Sequence, residues 1–329
     1  MMPSAELRVL FRAPAGARRG FGHLVRCLSL ARALEVRPLI ALRGTSGARE
    51  TALALGADVI ANPRPSVIAR LQPDVLIVDD PVASEGRAWI AAARRVGARV
   101  VSVHDLGLGC TDADLVIDGS ITRTAKGPSL SLTGSRFAVL GLAVAALRHK
   151  GISKGRCAIG AQRVVIALGG GPHAVAARAI AREIVEGNPR ADVRIAAGFV
   201  RRGRPLEAND RVSWVRPDQG LASELREADV AVVGGGVSLY EACALGVPTV
   251  TLPVVSGQVP TARAFARRGA VIAVPFKANP AVTASTVIRL LDNLRRRETL
   301  AQRSRALVDG QGAARAAAAV AALACRRVG

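Results

Sequence analysis

A histidine inside a glycine-rich turn is the first feature of this sequence that could do chemistry. The turn reads Gly20-Phe21-Gly22-His23 and opens a stretch of helical pattern that continues through Arg26. Glycines let the backbone approach a ligand closely, and the free amides at a helix N-terminus attract anions. A histidine there can take a proton from water or from a hydroxyl group. The whole chain has four histidines, and we interpret His23 as a catalytic base rather than as a capping or core residue.

Two further glycine turns follow strand patterns in the second half of the chain. They are Gly169-Gly170-Gly171-Pro172-His173 and Gly234-Gly235-Gly236-Val237-Ser238. Either turn could bind a phosphate through its backbone amides, and the serine hydroxyl could add a hydrogen bond. Neither turn fits the dinucleotide fingerprint GxGxxG or the P-loop GK[ST]. Tight packing of a helix on a strand explains such a turn equally well, so each turn predicts phosphate binding only together with its surroundings.

The residues around two of the strand ends favour a nucleotide-sugar ligand. Glu241 falls in the first turns of the helix that Gly236 opens, where a carboxylate can accept hydrogen bonds from two ribose hydroxyls. Gln258 begins the next helix at the same expected edge of the sheet, and we interpret Glu241 and Gln258 as a sugar-binding pair. In the first half, the apolar run DVLIV ends in Asp79 and Asp80. A buried parallel strand ends in this way when its carboxyl end faces a cleft.

Length and composition indicate two α/β domains. The chain has 329 residues, more than one hydrophobic core usually organises. Half of the residues are apolar but only 3% are aromatic, which suits parallel strands covered by helices on both faces. Strand and helix patterns alternate in both halves, and the non-periodic segment 148–162 separates them. We therefore predict two Rossmann-like domains, residues 1–150 and 151–329, with an interdomain cleft at the carboxyl ends of both sheets.

The distribution of charged residues and of cysteines indicates which partners and which cellular compartment to expect. The formal net charge is +21, but the basic residues are scattered, and one Tyr and six Phe leave little to stack on bases. We therefore expect no nucleic-acid partner. Five widely spaced cysteines without a CxxC pair indicate a reducing compartment and no zinc site. We find no leader pattern and no apolar run of about 18 residues. A cytoplasmic protein without a transmembrane segment is the expectation.

The motifs of the two halves resemble a known family of enzymes. The segment from Arg12 to Leu30, with Ala31 directly after it, contains G-x-G-H-x-x-R-x-x-x-L-A after the first strand. It resembles the N-terminal motif of the UDP-sugar hydrolases of pseudaminic acid biosynthesis and of their spore-coat polysaccharide relatives. The segment Gly234 to Val250, followed by Gln258, is similar to the nucleotide-binding half of that family. It is also similar to the lipid-intermediate N-acetylglucosaminyltransferases.

This resemblance implies a GT-B fold, in which two facing Rossmann-like domains bind a UDP-sugar in their cleft, without a metal or other cofactor. It makes His23 the catalytic base and places Glu241 at the ribose and Gln258 near the sugar. The loop after Val215 would hold the uracil through backbone groups. The diphosphate would lie at Gly234, Gly235, Gly236 and Ser238. The expected substrate-binding set also includes Gly20, Gly22, Arg26, Asp79, Gly169, Gly170 and His173.

Three positions depart from the family pattern in the expected sugar pocket. Pro14 replaces an aspartate, Asp80-Pro81 replaces an aromatic residue, and Phe137 replaces a tyrosine. The leading hypothesis is a UDP-sugar hydrolase of bacterial surface-sugar biosynthesis, in which His23 deprotonates water and the attack on the anomeric carbon releases UDP. A glycosyltransferase with the same base and leaving group is one alternative. A non-catalytic nucleotide-sugar binder is another, and a nucleic-acid binder would rest on charge alone.

Overall fold

The computed structural model describes residues 7–16, 20–60, 63–104, 108–110, 112–122, 130–150, 162–169, 173–197, 211–216 and 221–325. The chain forms two compact units. Unit 1 comprises Met1–Leu142 together with Gln311–Gly329, and unit 2 comprises Ala143–Gly310. Within the described ranges, no helix is both long and apolar enough to cross a membrane.

Unit 1 is a seven-stranded parallel sheet with helices packed on it. Its strands are β1 Val9–Pro14, β2 Leu39–Arg43, β3 Asp58–Val59, β4 Val75–Val78, β5 Arg99–His104, β6 Leu115–Asp118 and β7 Ser131–Thr133. Its helices are α1 Gly22–Ala33, α2 Ser46–Ala54, α3 Val67–Leu71, α4 Ala83–Arg95 and α12 Gly312–Cys325. The strand order is β3-β2-β1-β4-β5-β6-β7. The strands β1, β4 and β6 are buried along their whole length and mostly apolar, as parallel strands covered on both faces require.

Unit 2 repeats this architecture with six strands, again all parallel. The strands are β8 Gln162–Ala167, β9 Ala191–Ala196, β10 Val212–Val215, β11 Val230–Val233, β12 Thr249–Thr251 and β13 Ile272–Ala273. The helices are α6 Ala174–Gly187, α7 Ala222–Glu227, α8 Val237–Leu245, α9 Val259–Arg267, α10 Pro280–Leu291 and α11 Leu294–Leu307, and α5 Leu142–His149 leads into the unit. The order β10-β9-β8-β11-β12-β13 matches that of unit 1 and confirms the two predicted Rossmann-like sheets.

Each unit contains the same kind of stabilising hydrogen bond at its central strands. Asp74 lies just before β4 and accepts a hydrogen bond of 2.9 Å from the backbone N–H of Arg8. Asp229 lies just before β11 and accepts one of 2.9 Å from the backbone N–H of Arg163. The partners are 66 residues apart in both cases. Each aspartate therefore joins the start of the first strand of its unit to the strand beside it.

The last helix lies in a different unit from the one we predicted. We assigned residues 151–329 to the second domain, but α12 packs against α1 within unit 1. The small buried face of α12, with Ala313, Ala316 and Ala317, allows this close approach, and Arg315 Nη1 donates a 2.8 Å hydrogen bond to the carbonyl of Arg136. The first boundary falls at Leu142 rather than at residue 150. Residues 151–161 of the predicted linker lie outside the described residues.

Candidate functional site

The glycine turn of unit 1 delivers His23 to the first turn of α1. Gly20 has a φ of +72°, a left-handed conformation that glycine adopts without strain. The backbone N–H of Gly16 donates to the carbonyl of Gly20 over 3.1 Å, which closes the loop after β1. Gly22 is the first residue of α1. The imidazole of His23 is therefore held at the carboxyl end of β1, beside the end of β4.

Asp79, the residue that follows β4, holds the ring of His23. Its carboxylate is only 1% exposed, and Oδ1 lies 2.7 Å from His23 Nδ1. Arg26 donates from Nε to Oδ2 over 2.8 Å and from Nη2 to Oδ1 over 2.6 Å. Burial by itself raises the pKa of Asp79, but the neighbouring Arg26 and His23 outweigh it and lower this pKa to about 2. Asp79 is therefore an ionised carboxylate at neutral pH.

The ionised Asp79 fixes the tautomer of His23. Two atoms 2.7 Å apart need a proton between them, and since the carboxylate carries none, the proton lies on Nδ1. In the neutral ring Nε2 then has the free lone pair. No described residue makes a hydrogen bond to Nε2, and the His23 side chain keeps 13% of its surface exposed. A ring held in this way can accept a proton at Nε2, as a general base must.

Asp80 belongs to a separate ion-pair network on the other face of the sheet. Arg43, which ends β2, donates from Nε and Nη2 to its two carboxylate oxygens over 2.6–2.9 Å. Asp80 Oδ1 also accepts a 3.0 Å hydrogen bond from the backbone N–H of Val82, just before α4. We did not predict this network from the sequence. The sequence did contain a signal for it. Arg43 ends the β2 pattern, and the DVLIV strand ends in Asp79 and Asp80, so an ion pair between these strand ends could have been expected.

In unit 2, Gln258 holds the glycine turn that follows β11. Its Oε1 accepts hydrogen bonds from the backbone N–H groups of Gly235 at 3.1 Å and of Val254 at 3.0 Å. A β-carbon added at Gly235 would lie 2.8 Å from Gln258 Cβ and 2.7 Å from its carbonyl oxygen, so this position requires glycine. Gln258 was expected near the sugar. With Oε1 occupied by the turn, Nε2 is the part of the side chain left for a ligand.

The helix α8 starts directly after this turn. Gly236 precedes its first residue, and no side chain caps its first amides. Ser238 lies in the first turn and Glu241 in the second, both half-buried. Glu241 makes no hydrogen bond or ion pair with any described residue, and burial raises the pKa of its carboxyl to about 7. A partly buried carboxyl without a partner gains from any ligand that supplies hydroxyl donors.

The remaining predicted site residues of unit 2 lie at different strand ends. Gly169 has a φ of +94° and follows β8, the strand paired with β11, so Gly169 lies at the same edge of the sheet as Gly234. His173 immediately precedes α6, and burial lowers the pKa of its ring. Val215 ends the edge strand β10, two strands from β8. Gly170 and the loop 217–220 lie outside the described residues.

The structure thus forms two groups from the predicted residues, one in each unit. Gly20, Gly22, His23, Arg26 and Asp79 meet in unit 1. In unit 2, Gly169, Gly234, Gly235, Gly236, Ser238, Glu241 and Gln258 lie at the ends of β8 and β11 or follow them. Among the described residues, no group of three or more His, Cys, Asp or Glu side chains could hold a metal ion.

Two Rossmann-like units with this strand order define a GT-B type of fold, as predicted. No protein-family model matches the chain. The chain is 34% identical over 119 residues to the spore coat polysaccharide biosynthesis protein SpsG of Bacillus subtilis (strain 168). That match covers 35% of this chain and 34% of SpsG, so it spans about a third of the relative's length.

Solved structures resemble the chain over nearly its whole length. Spinosyn forosaminyltransferase SpnP has a TM-score of 0.66 at 17% identity, covering 98% of this chain and 100% of its own. Acinetobacter baumannii MurG has a TM-score of 0.65 at 16% identity, with coverage of 96% and 99%. Spinosyn rhamnosyltransferase SpnG complexed with thymidine diphosphate has 0.62 at 16%, with coverage of 96% and 100%. These similarities confirm the fold, and two of the three are with named glycosyltransferases.

Proposed function

We propose that this protein is a glycosyltransferase that moves a sugar from a nucleotide sugar to an acceptor hydroxyl. The observation that carries the proposal is the ring of His23, fixed by Asp79 at Nδ1 over 2.7 Å with Nε2 left as a proton acceptor. The transferase alternative replaces the hydrolase as the main hypothesis because the similar structures include two named sugar transferases. The similarity to SpsG suggests that the acceptor belongs to polysaccharide biosynthesis.

In the proposed reaction, unit 1 supplies the base. His23 Nε2 takes the proton of the acceptor hydroxyl, and the oxygen forms a bond to the anomeric carbon of the donor sugar. The bond between that carbon and the diphosphate oxygen breaks, and its electron pair leaves with the nucleoside diphosphate. The imidazolium produced is stabilised by the ionised Asp79, which already accepts the hydrogen bond from Nδ1.

Unit 2 supplies the nucleotide-binding groups in this proposal. The uncapped amides and the dipole of α8 favour the negative charge that grows on the leaving diphosphate. Ser238 and Gln258 Nε2 add donors beside the same turn. Glu241 accepts hydrogen bonds from the ribose hydroxyls, which gives its unpaired carboxyl the partners it lacks. Val215 and the loop after it would hold the base. UDP and TDP are the nucleotides named with two of the similar structures.

A UDP-sugar hydrolase is the second candidate function. It keeps the same base and leaving group but uses water in place of the acceptor hydroxyl. The observation that favours it is the motif from Gly20 to Ala31, which resembles the N-terminal motif of the hydrolase family and brings His23 and Arg26 into contact in this chain. The non-catalytic alternative is less favoured, because Asp79 lies 2.7 Å from His23 Nδ1 and orients the ring as a general base requires.

The test is a nucleotide-release assay with a panel of nucleotide sugars, with and without candidate saccharide acceptors. We expect release of nucleoside diphosphate that depends on acceptor and is lost in His23→Ala. Acceptor-independent release that needs His23 would support the hydrolase instead. A thermal-shift screen against UDP, TDP, GDP and CMP identifies the base, because a ligand of the native state raises its apparent stability. Unchanged release in His23→Ala would overturn both candidates.

A further inference from the structure

The guanidinium of Arg26 contacts both Asp79 and His23. Its side chain is 12% exposed, and its Nε and Nη2 are both bonded to the carboxylate of Asp79. The same Nη2 lies 2.9 Å from His23 Nδ1. Because the proton on Nδ1 points to Asp79, this short approach is not a hydrogen bond to the neutral ring. It is a contact between a permanent positive charge and the nitrogen through which the base is held.

Two opposite charges therefore act on His23 at nearly the same distance. Asp79 Oδ1 lies 2.7 Å from Nδ1, and Arg26 Nη2 lies 2.9 Å from it. A carboxylate alone would stabilise the imidazolium form and keep the base protonated. A guanidinium alone would destabilise that form to a similar degree, because Coulomb energy depends on distance in the same way for both. Together they leave little net charge at the ring.

Among the described residues, the other side chains that line the pocket beside Asp79 and Arg26 carry no charge. Leu30 of α1, Ile77 of β4, Val103 of β5 and Val139 line the same pocket with Asp79 and Arg26. The thiol of Cys27 also lines it, and burial, the nearby Asp79 and the opposing Arg26 together place its pKa well above the usual value, so it is neutral. Arg315 of α12, which packs on α1, donates to the carbonyl of Arg136.

We propose that Arg26 is a positioning residue that cancels the charge of Asp79, so that the carboxylate orients His23 without holding it in the protonated form. The role of Arg26 in catalysis rests on the proposed function, but its effect on the protonation of His23 does not. This proposed role differs from substrate binding, the role that the sequence predicted for Arg26.

The experiment follows the ring nitrogens of His23 by NMR in the ligand-free protein labelled with 15N. The chain has four histidines, and His23→Asn identifies the signal by its disappearance. In Arg26→Gln we expect the titration midpoint of His23 to rise by about one pH unit or more. In Asp79→Asn, where only the positive charge is left, we expect it to fall by a similar amount. Arg26→Lys keeps the charge and is the matched control, with a midpoint close to that of the wild type.

The double variant Arg26→Gln/Asp79→Asn buries no unpaired charge. It can therefore be measured even if one of the single variants fails to fold. Its midpoint is expected near the wild-type value, since both charges are gone. Equal midpoints in the wild type and in whichever single variants fold would overturn the proposal, as would a double variant that titrates far from the wild type. None of these signals requires turnover, so inactivity toward every nucleotide sugar would reject the proposed function and leave this result standing.

Discussion

Asp79 and Gly234 occupy equivalent places in the two units. Each is the first residue after the strand that pairs with the first strand of its sheet, and the registers Val9 with Val75 and Val164 with Val230 match. Two sheets with the same strand order therefore carry different chemical groups at equivalent positions. Asp79 offers a carboxylate that orients a base, whereas Gly234 offers no side chain and leaves room for backbone amides and Gln258. This difference accounts for the proposed division of labour between base and nucleotide.

The hydrogen bond from His23 to Asp79 predicts a large effect of Asp79→Asn on catalysis. The amide can present an N–H to Nδ1 and so favour the tautomer with its proton on Nε2, which is unable to act as a base. By analogy with the same substitution in a Ser-His-Asp protease, we expect kcat to fall by about 10⁴-fold. Steady-state kinetics with an active nucleotide sugar measures the loss. Retention of more than a tenth of the wild-type kcat contradicts the assigned tautomer.

Asp80→Asn is the matched control for that variant and gives a prediction of its own. Asp80 is as buried as Asp79, but its partner is Arg43, on the other face of the sheet. In Asp80→Asn, Arg43 keeps only its longer contact of 3.8 Å with Glu85, and breaking a buried ion pair costs about 3–5 kcal/mol of folding free energy. We expect a lower melting temperature and a kcat within a few-fold of the wild type once the protein is folded. A loss of kcat as large as in Asp79→Asn contradicts the separation of the two networks.

The lowered pKa of Asp79 predicts part of the acid sensitivity of unit 1. Its folded value of about 2 lies below the ordinary aspartate value of 3.8. The stabilisation is therefore complete above about pH 4 and is lost as the pH falls towards 2, by about 2 kcal/mol in total. Denaturant unfolding of the wild type and of Asp79→Asn across this range measures it. The variant is expected to lose stability less steeply, and parallel curves contradict the assignment.

The sequence predicted the central strands and the two sheets better than the contacts between side chains and between distant segments. Long aliphatic runs such as DVLIV predicted central strands because burial on both faces leaves a continuous apolar signal. The edge strands Asp58–Val59 and Ile272–Ala273 are two residues long, too short for any periodicity, and were not predicted. The place of α12 depends on packing between segments almost 300 residues apart, which no local pattern encodes.

The candidate site shows the same limit. The glycine turn identified His23 from local sequence, since residue type and helix start are both local features. Its partner Asp79 is 56 residues away, and only the sheet order brings the two together. Likewise Gln258 was expected to touch the sugar, but its Oε1 accepts from Gly235, 23 residues earlier. Residue types could be predicted, whereas the partner of each polar atom required the fold.

The double role of Gln258 predicts different results for two substitutions. Gln258→Met removes the acceptor for Gly235 and Val254, so we expect a lower melting temperature and weaker nucleotide binding. Gln258→Glu keeps an acceptor oxygen but replaces Nε2 with negative charge beside the proposed diphosphate. We expect it to keep its melting temperature and to lose at least about tenfold in nucleotide affinity, or about 1.4 kcal/mol. Isothermal titration with UDP or TDP, paired with thermal melting, separates the two. Equal affinity in Gln258→Glu contradicts a ligand contact at Nε2.

Glu241 predicts a trade between stability and binding. Its folded pKa of about 7 lies above the ordinary glutamate value of 4.5, so the folded state holds the proton more tightly than the unfolded state. Above about pH 7 the carboxyl must ionise where it is half-buried, which disfavours folding by about 1–3 kcal/mol, and this cost vanishes below about pH 4.5. Glu241→Gln removes the cost and is expected to melt at a higher temperature than the wild type near pH 8, but not near pH 5.

The same substitution is expected to weaken nucleotide binding, because an amide accepts only one of the two ribose hydroxyls well. The affinity of the wild type should rise with pH through 7 as the carboxyl ionises, and that of Glu241→Gln should stay level. Thermal melting without ligand and titration with the nucleotide, each at both pH values, measure the two halves of the trade. A Glu241→Gln variant that gains stability but binds the nucleotide as tightly as the wild type would contradict the proposed ribose contact. The cost of ionising the half-buried carboxyl would then be present, but the carboxylate would contribute nothing to binding.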